Sequence, residues 1–193
     1  MMHNMQLRDY LAKNPKKYLI FDFDETIAMI DMDWSQYHAR MAEIYKKFDS
    51  KRHHPAFYSY DGYNDFVREH GEEVMRLIKT ANSQYEQEMG QGFIPNHKLI
   101  KFINQADGFR MFVYSSNSRT TVERGLIELS IKDRFEQIVS RDDVSYIKPD
   151  PEGFGLIYDP NIPKEDYLMI GNSSTDREMA EAVGIDFYLV DYF

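Results

Sequence analysis

The chain has no cysteine among its 193 residues. That absence excludes disulfides, thiolate metal sites and a cysteine nucleophile together. Positive charge is also short, with 23 Lys and Arg against 32 Asp and Glu and a formal net charge of −9. Sequence-independent nucleic-acid binding needs a basic face to displace counterions, so the balance argues against a nucleic-acid partner. No apolar run approaches the roughly 20 residues a helix needs to cross a bilayer, which argues against a membrane span. The first segment, Met1 to Pro15, is polar and of mixed charge, unlike a secretory leader. Internal repeats and low-complexity tracts are missing too. The expectation is a soluble, cytoplasmic protein. What is present fits that expectation: 42% hydrophobic and 28% charged residues make a packed chain, not a disordered one. The length suits one domain, or one domain carrying a modest insertion.

Four short runs are apolar on both faces: Tyr18–Phe21, Met111–Tyr114, Tyr167–Ile170 and Phe187–Val190. A fifth, weaker run covers Phe135 to Val139. Strands of this kind belong in a parallel sheet covered by helices on each side. Helical periodicity lies between them, on Leu99, Ile100, Phe102 and Ile103 and again on Val122, Leu126, Ile127 and Leu129. Asp176 to Val183 reads as a helix stopped by Gly184, a natural left-handed cap. Alternating strands and helices predict an α/β fold, a Rossmann-like three-layer α/β/α parallel sheet with right-handed crossovers.

Between Ile30 and Gly92 the spacing predicts only amphipathic helix. Trp34, Tyr37, Met41, Ile44, Tyr45 and Phe48 form one apolar stripe, and Phe66, Val67, Val74, Leu77 and Ile78 another. A basic linker, Lys51-Arg52-His53-His54-Pro55, separates them. A helical block after the first strand sits over the carboxyl ends of the strands, where open α/β sheets bind ligands. We therefore expect a catalytic core at residues 1–29 and 93–193 and an inserted helical cap at 30–92; the alternative is one more side of the core. Tyr60-Asp61-Gly62-Tyr63 reads as a turn between cap helices and part of a moving element. Arg40, Lys46, Lys47, Lys51, Arg52, His53 and His54 could meet an anionic substrate group, against the plainer reading of a solvated face. Trp34 either faces the crevice or staples the cap. Arg119 and Thr120 either bind anion at a helix start or cap it.

Asp22 and Asp24 end the first strand two residues apart and so share a face of it. Two carboxylates there repel and lose hydration unless a cation or a proton intervenes. The hard, oxygen-preferring ion for such a place is Mg²⁺. Three further polar clusters sit where strands should end or in the loop before one: Ser115-Ser116-Asn117, Lys148 within Lys148-Pro149-Asp150-Pro151, and Gly171-Asn172-Ser173-Ser174-Thr175-Asp176. In a parallel sheet these converge on one crevice.

The order Asp22-Phe23-Asp24-Glu25-Thr26, a strand-ending Ser, Lys148 and then Gly171-Asn172-x-x-x-Asp176 resembles the haloacid dehalogenase-like superfamily of phosphohydrolases. The likeness runs from about Lys16 to Val190. Ile147-Lys148-Pro149-Asp150-Pro151-Glu152-Gly153-Phe154 is similar to its phosphoglycolate phosphatase and β-phosphoglucomutase-like branches. The resemblance implies that Asp22 is the nucleophile, forming an aspartyl-phosphate, and that Asp24 is general acid and then base. It implies Mg²⁺ held by Asp22, Asp176 and the Asp24 backbone carbonyl, with Asn172 nearby where the family often has Asp. It implies phosphate binding by Ser115, Ser116, Asn117 and Lys148, Ser115 being preferred to Ser116. The implied substrate is a small phosphorylated metabolite: a sugar phosphate, a phosphoglycolate-like acid or a nucleotide. Asp24 argues against dehalogenation, because an alkyl halide needs no proton on its leaving group. The alternatives are a phosphotransferase or mutase, and a binding protein that kept the fold without turnover.

Overall fold

A computed structural model describes residues 6–49 and 60–190. After a short helix, α1 (Leu7–Lys13), the chain enters β1 (Tyr18–Phe21), the centre of a five-stranded sheet. Its neighbours are β4 (Arg110–Tyr114) and β6 (Tyr167–Gly171), flanked by β5 (Gln137–Val139) and β7 (Asp186–Leu189), in the order β5-β4-β1-β6-β7. Every pairing is parallel. Phe21 lies opposite Val113 on one side and Ile170 on the other, so the three central strands end at one level. The polar residues after those strands are thereby brought to one edge.

Alternation along the strands divides the apolar side chains between two faces. Leu19, Phe21, Met111, Val113, Leu168 and Ile170 pack with α5 (His97–Gln105) and α6 (Arg119–Glu128). Ile20, Phe112, Tyr114 and Met169 pack on the other face with α8 (Ser174–Val183). Both faces are dry, which is why the strands read as unbroken apolar runs. Gly184 ends α8 in the left-handed conformation at φ 73°, as the sequence predicts. A four-residue helix, α7 (Glu152–Gly155), precedes β6.

The segment after β1 departs from the sequence reading in two respects. It contains a strand, β2 (Ala28–Asp31), which pairs antiparallel with β3 (Gly92–Pro95) as a separate two-stranded sheet. Four residues are too few for alternation to stand out, so no strand was legible there. Between these strands run α2 (Trp34–Phe48), α3 (Tyr60–His70) and α4 (Glu72–Met89). Tyr60 to Tyr63 is the first turn of α3, not a turn between helices, and Gly62 is helical. The Lys51–Pro55 linker lies outside the described residues. Tyr45 of α2 meets the ring of Phe66 of α3 at 4.6 Å, and both helices join the apolar cluster on the α8 face of the sheet.

Candidate active site

Asp22 follows β1 directly, and its amide donates to the Ile170 carbonyl (2.9 Å), extending the ladder by one rung. The residue is buried, 7% exposed. Asp176 is placed by a capping box. The Ser173 amide and hydroxyl donate to Asp176 Oδ2 (3.1 and 2.6 Å), while the Asp176 amide donates to Ser173 Oγ (3.2 Å). That leaves Oδ1 free to turn inward. Gly171 makes room for it, because a Cβ there would overlap the Asp176 carboxylate.

Lys148 joins these groups. Its ammonium, 2% exposed as a residue, donates to Asp22 Oδ1 (2.6 Å), Asp176 Oδ1 (2.5 Å) and the Tyr114 carbonyl (2.9 Å). An ammonium has three protons, and all three are used. Burial alone would favour the neutral amine, but the Asp176 and Asp22 carboxylates outweigh it and hold the Lys148 ammonium well above its usual range. Asp22 is raised as well, which for a carboxyl favours the neutral form. Burial pushes its carboxyl up to about 6 despite Lys148, with the Asp176 charge adding to the rise. Asp24 accepts from the Ile30 amide (2.9 Å) and is pushed up to about 8, chiefly by loss of solvent around it. Two neighbouring carboxyls thus differ: Asp22 ionises first and Asp24 keeps its proton near neutrality. Between them and β2, Glu25 adopts φ 56°, a left-handed turn that costs a non-glycine residue about 1 kcal/mol.

A cavity of about 300 Å³ opens over these groups and under the helices of the insertion. Asp22, Asp24, Ser116, Asn117, Lys148 and Asn172 line it. Asp176 and Ser115 stand behind the lining: the Ser115 hydroxyl donates to Asn117 Oδ1 (2.9 Å) and accepts from the Asn117 amide (3.2 Å). The Ser116 hydroxyl is buried without a partner. Asn172 donates to Glu25 Oε2 (3.0 Å), and its Oδ1 accepts from Thr26 (3.3 Å).

Of the residues considered for substrate contact, Trp34 lines the cavity. Arg40 pairs with Glu88 and Lys46 with Glu43, both at the surface and away from it. The Arg119 amide is occupied by Asp142 Oδ2 (2.8 Å), so the start of α6 is capped by a carboxylate. Among the lining residues that sequence reading missed are Glu86 of α4 and Arg141. They form a buried pair at 2.8 Å, and Glu86 Oε2 also accepts from the Ser118 amide and hydroxyl (3.1 and 2.6 Å). Nothing local in the sequence marks two partners 55 positions apart.

The donor chemistry fits Mg²⁺. Asp22 and Asp176 share a single ammonium, so the buried site carries an excess of hard anionic oxygen. No three His, Asp or Glu side chains among the described residues surround one metal position. Mg²⁺ does not require that, since it keeps several waters and takes few protein ligands.

An open parallel sheet with carboxylates and a lysine gathered at its strand ends, under helices inserted between β2 and β3, defines a Rossmann-like α/β protein with its site at the carboxyl edge of the sheet. The chain belongs to the haloacid dehalogenase-like hydrolase family, whose sequence profile matches residues 19–190. A hydrolase from Pseudomonas syringae has a similar structure, with a TM-score of 0.63 at 19% identity, covering 89% of this chain and 83% of that one. The hydrolase YfnB of Bacillus subtilis, in a form bound to magnesium that reveals interdomain movement, gives 0.55 at 18% identity, covering 91% and 86%. Among curated proteins, pyrophosphatase PpaX of Halalkalibacterium halodurans is 23% identical over 133 residues, 68% of this chain and 61% of that protein. The PpaX of Listeria welshimeri matches over 50% of its length, so the aligned part spans roughly half to three fifths of these relatives.

Proposed function

We propose that the protein is a Mg²⁺-dependent phosphatase that hydrolyses the phosphomonoester of a small metabolite. We read residues 1–29 and 93–193 as the catalytic core and 30–92 as a cap. The observation that carries the proposal is the pair of differently held carboxyls on one cavity, Asp22 against Lys148 and Asp24 on the Ile30 amide, with burial pushing Asp24 up toward the protonated form. A nucleophile and a proton donor are what an alkoxide leaving group requires.

Asp22 attacks phosphorus as its carboxylate, and the bond from phosphorus to the ester oxygen breaks. Asp24 gives its proton to the departing oxygen, so the product leaves as an alcohol. Water then attacks the phosphorus of the aspartyl-phosphate, Asp24 takes its proton, and Asp22 is released with inorganic phosphate. Lys148 offsets charge on the transferring group, and the Ser115-Ser116-Asn117 turn receives its oxygens, with Ser115 fixing Asn117. Asp22, Asp176, the Asp24 carbonyl and Asn172 would hold Mg²⁺, which supplies further neutralisation of the incoming dianion.

The test is release of 4-nitrophenol from its phosphate with Mg²⁺ and with excess chelator. Asp22→Asn is expected to lower turnover by about three orders of magnitude or more, since an amide is a poor nucleophile. Turnover near the parent rate in that variant sinks the mechanism.

A further inference from the structure

Asn64 lies in α3, part of the insertion, and is 3% exposed. Its side chain makes two hydrogen bonds to one residue of the core. Asn64 Nδ2 donates to the Ile147 carbonyl (2.7 Å), and the Ile147 amide donates to Asn64 Oδ1 (2.9 Å). A carboxamide presents a donor and an acceptor side by side, as a peptide group does. Here it pairs with the main chain as a neighbouring strand would. Ile147 immediately precedes Lys148.

The same helix holds the loop on both sides of that lysine. Tyr63 donates to the Ser145 carbonyl (3.4 Å), Arg68 donates to Asp150 Oδ2 (2.8 Å), and the Arg68 guanidinium lies 4.7 Å from the centre of the Tyr146 ring. Arg68 is half exposed, so its ion pair contributes little. The Asn64 pair is buried and bidentate, and losing it strands a buried amide proton and weakens a buried carbonyl. Lys148 has three acceptors on its three protons, so a shift of its main chain must be taken up by the side-chain torsions or at the expense of one of those bonds.

We infer that Asn64 is a positioning residue for Lys148, through which the insertion sets where the phosphate-binding ammonium stands. This deepens the phosphatase reading and rests on the role assigned there to Lys148. Asn64 touches no reacting atom. It acts by holding the Ile147 peptide, and with it the main chain that carries Lys148.

The test is calorimetric titration of inorganic phosphate into the full chain in Mg²⁺, beside turnover of 4-nitrophenyl phosphate. Asn64→Ala is expected to raise the phosphate Kd about tenfold with stoichiometry unchanged, and to lower kcat by roughly ten- to a hundredfold, the size of effect that misplacement of a catalytic group produces. Asn64→Asp keeps the acceptor for the Ile147 amide and loses the donor, so it should fall between. A residue that only stabilises the fold would lower the stoichiometry, as part of the sample fails to fold, and leave Kd alone. That result overturns the inference, as does an unchanged Kd in both variants. An unmodified protein that neither binds phosphate nor turns over any ester overturns the role of Lys148 and this inference with it.

Discussion

Asp24 is where proton chemistry is most specific. It holds its proton to about pH 8, so its contribution should grow with the basicity of the leaving oxygen. Asp24→Asn is expected to slow hydrolysis of an alkyl phosphate by about 10²–10⁴-fold and that of an activated aryl phosphate by much less. Equal losses on the two esters remove the acid role. Gly171 is a second sensitive position, for steric reasons. Any Cβ there overlaps the Asp176 carboxylate, so Gly171→Ala should turn Asp176 away from Lys148. The expected result is weaker Mg²⁺ binding, read as a rise in the Mg²⁺ concentration for half activity, with the circular dichroism of the fold retained. The acidic residues were legible in the sequence because their positions are local consequences of strand ends and a capping box. Asn64, Glu86 and Arg141 were not, since each depends on a partner brought from a distant part of the chain. The pairing of Asn64 is to a main-chain group, which leaves no trace in residue identity.

At the scale of elements, α4 is tied to the core by charge as well as by apolar packing. Glu86 is held ionised below its usual range: burial opposes this, but the Arg141 guanidinium and the hydroxyls of Ser118 and Thr121 prevail. Removing one member of a buried pair leaves the other uncompensated, which costs about 3–5 kcal/mol. Glu86→Ala is therefore expected to lower the melting temperature by roughly 10 °C. A shift of a degree or two in a thermal scan would show that Arg141 finds another partner. The main strands were legible because both of their faces are buried, which makes them continuous apolar runs. β2 and β3 were hidden for the opposite reason. They are four residues long, only partly buried, and paired with each other outside the main sheet.

For the molecule as a whole, the raised carboxyls set the dependence of stability on pH. From about pH 4 the folded protein retains a proton on Asp22 up to about pH 6 and on Asp24 up to about pH 8, protons that the unfolded chain has given up. Each rise in pH through that window therefore weakens folding. Lys148, whose value is raised, contributes fully below its usual range, so its share is constant there. Glu86, whose value is lowered, keeps its full share above the usual carboxylate range and gives it up only as pH falls through and below that range. In chelator the melting temperature should thus be lower at pH 8 than at pH 6. Added Mg²⁺, competing with the same protons, should raise it more at pH 8. Thermal scans at the two values, with and without the ion, check both statements. A flat profile would place the two carboxyls in water.

The antiparallel pairing of β2 with β3 bears on how this chain can change over generations. Asp31 lies opposite Gly92, so the whole excursion through α2, α3 and α4 leaves and re-enters the rest of the protein at one place. Helices grafted or lengthened there need not disturb the strand order of the five-stranded sheet. What a substitute must reproduce is narrower than its helices: a carboxylate for the buried Arg141, and a donor and an acceptor delivered to the Ile147 peptide. Descendants with unrelated inserted segments could then keep the same chemistry, provided their side chains still complete those two contacts.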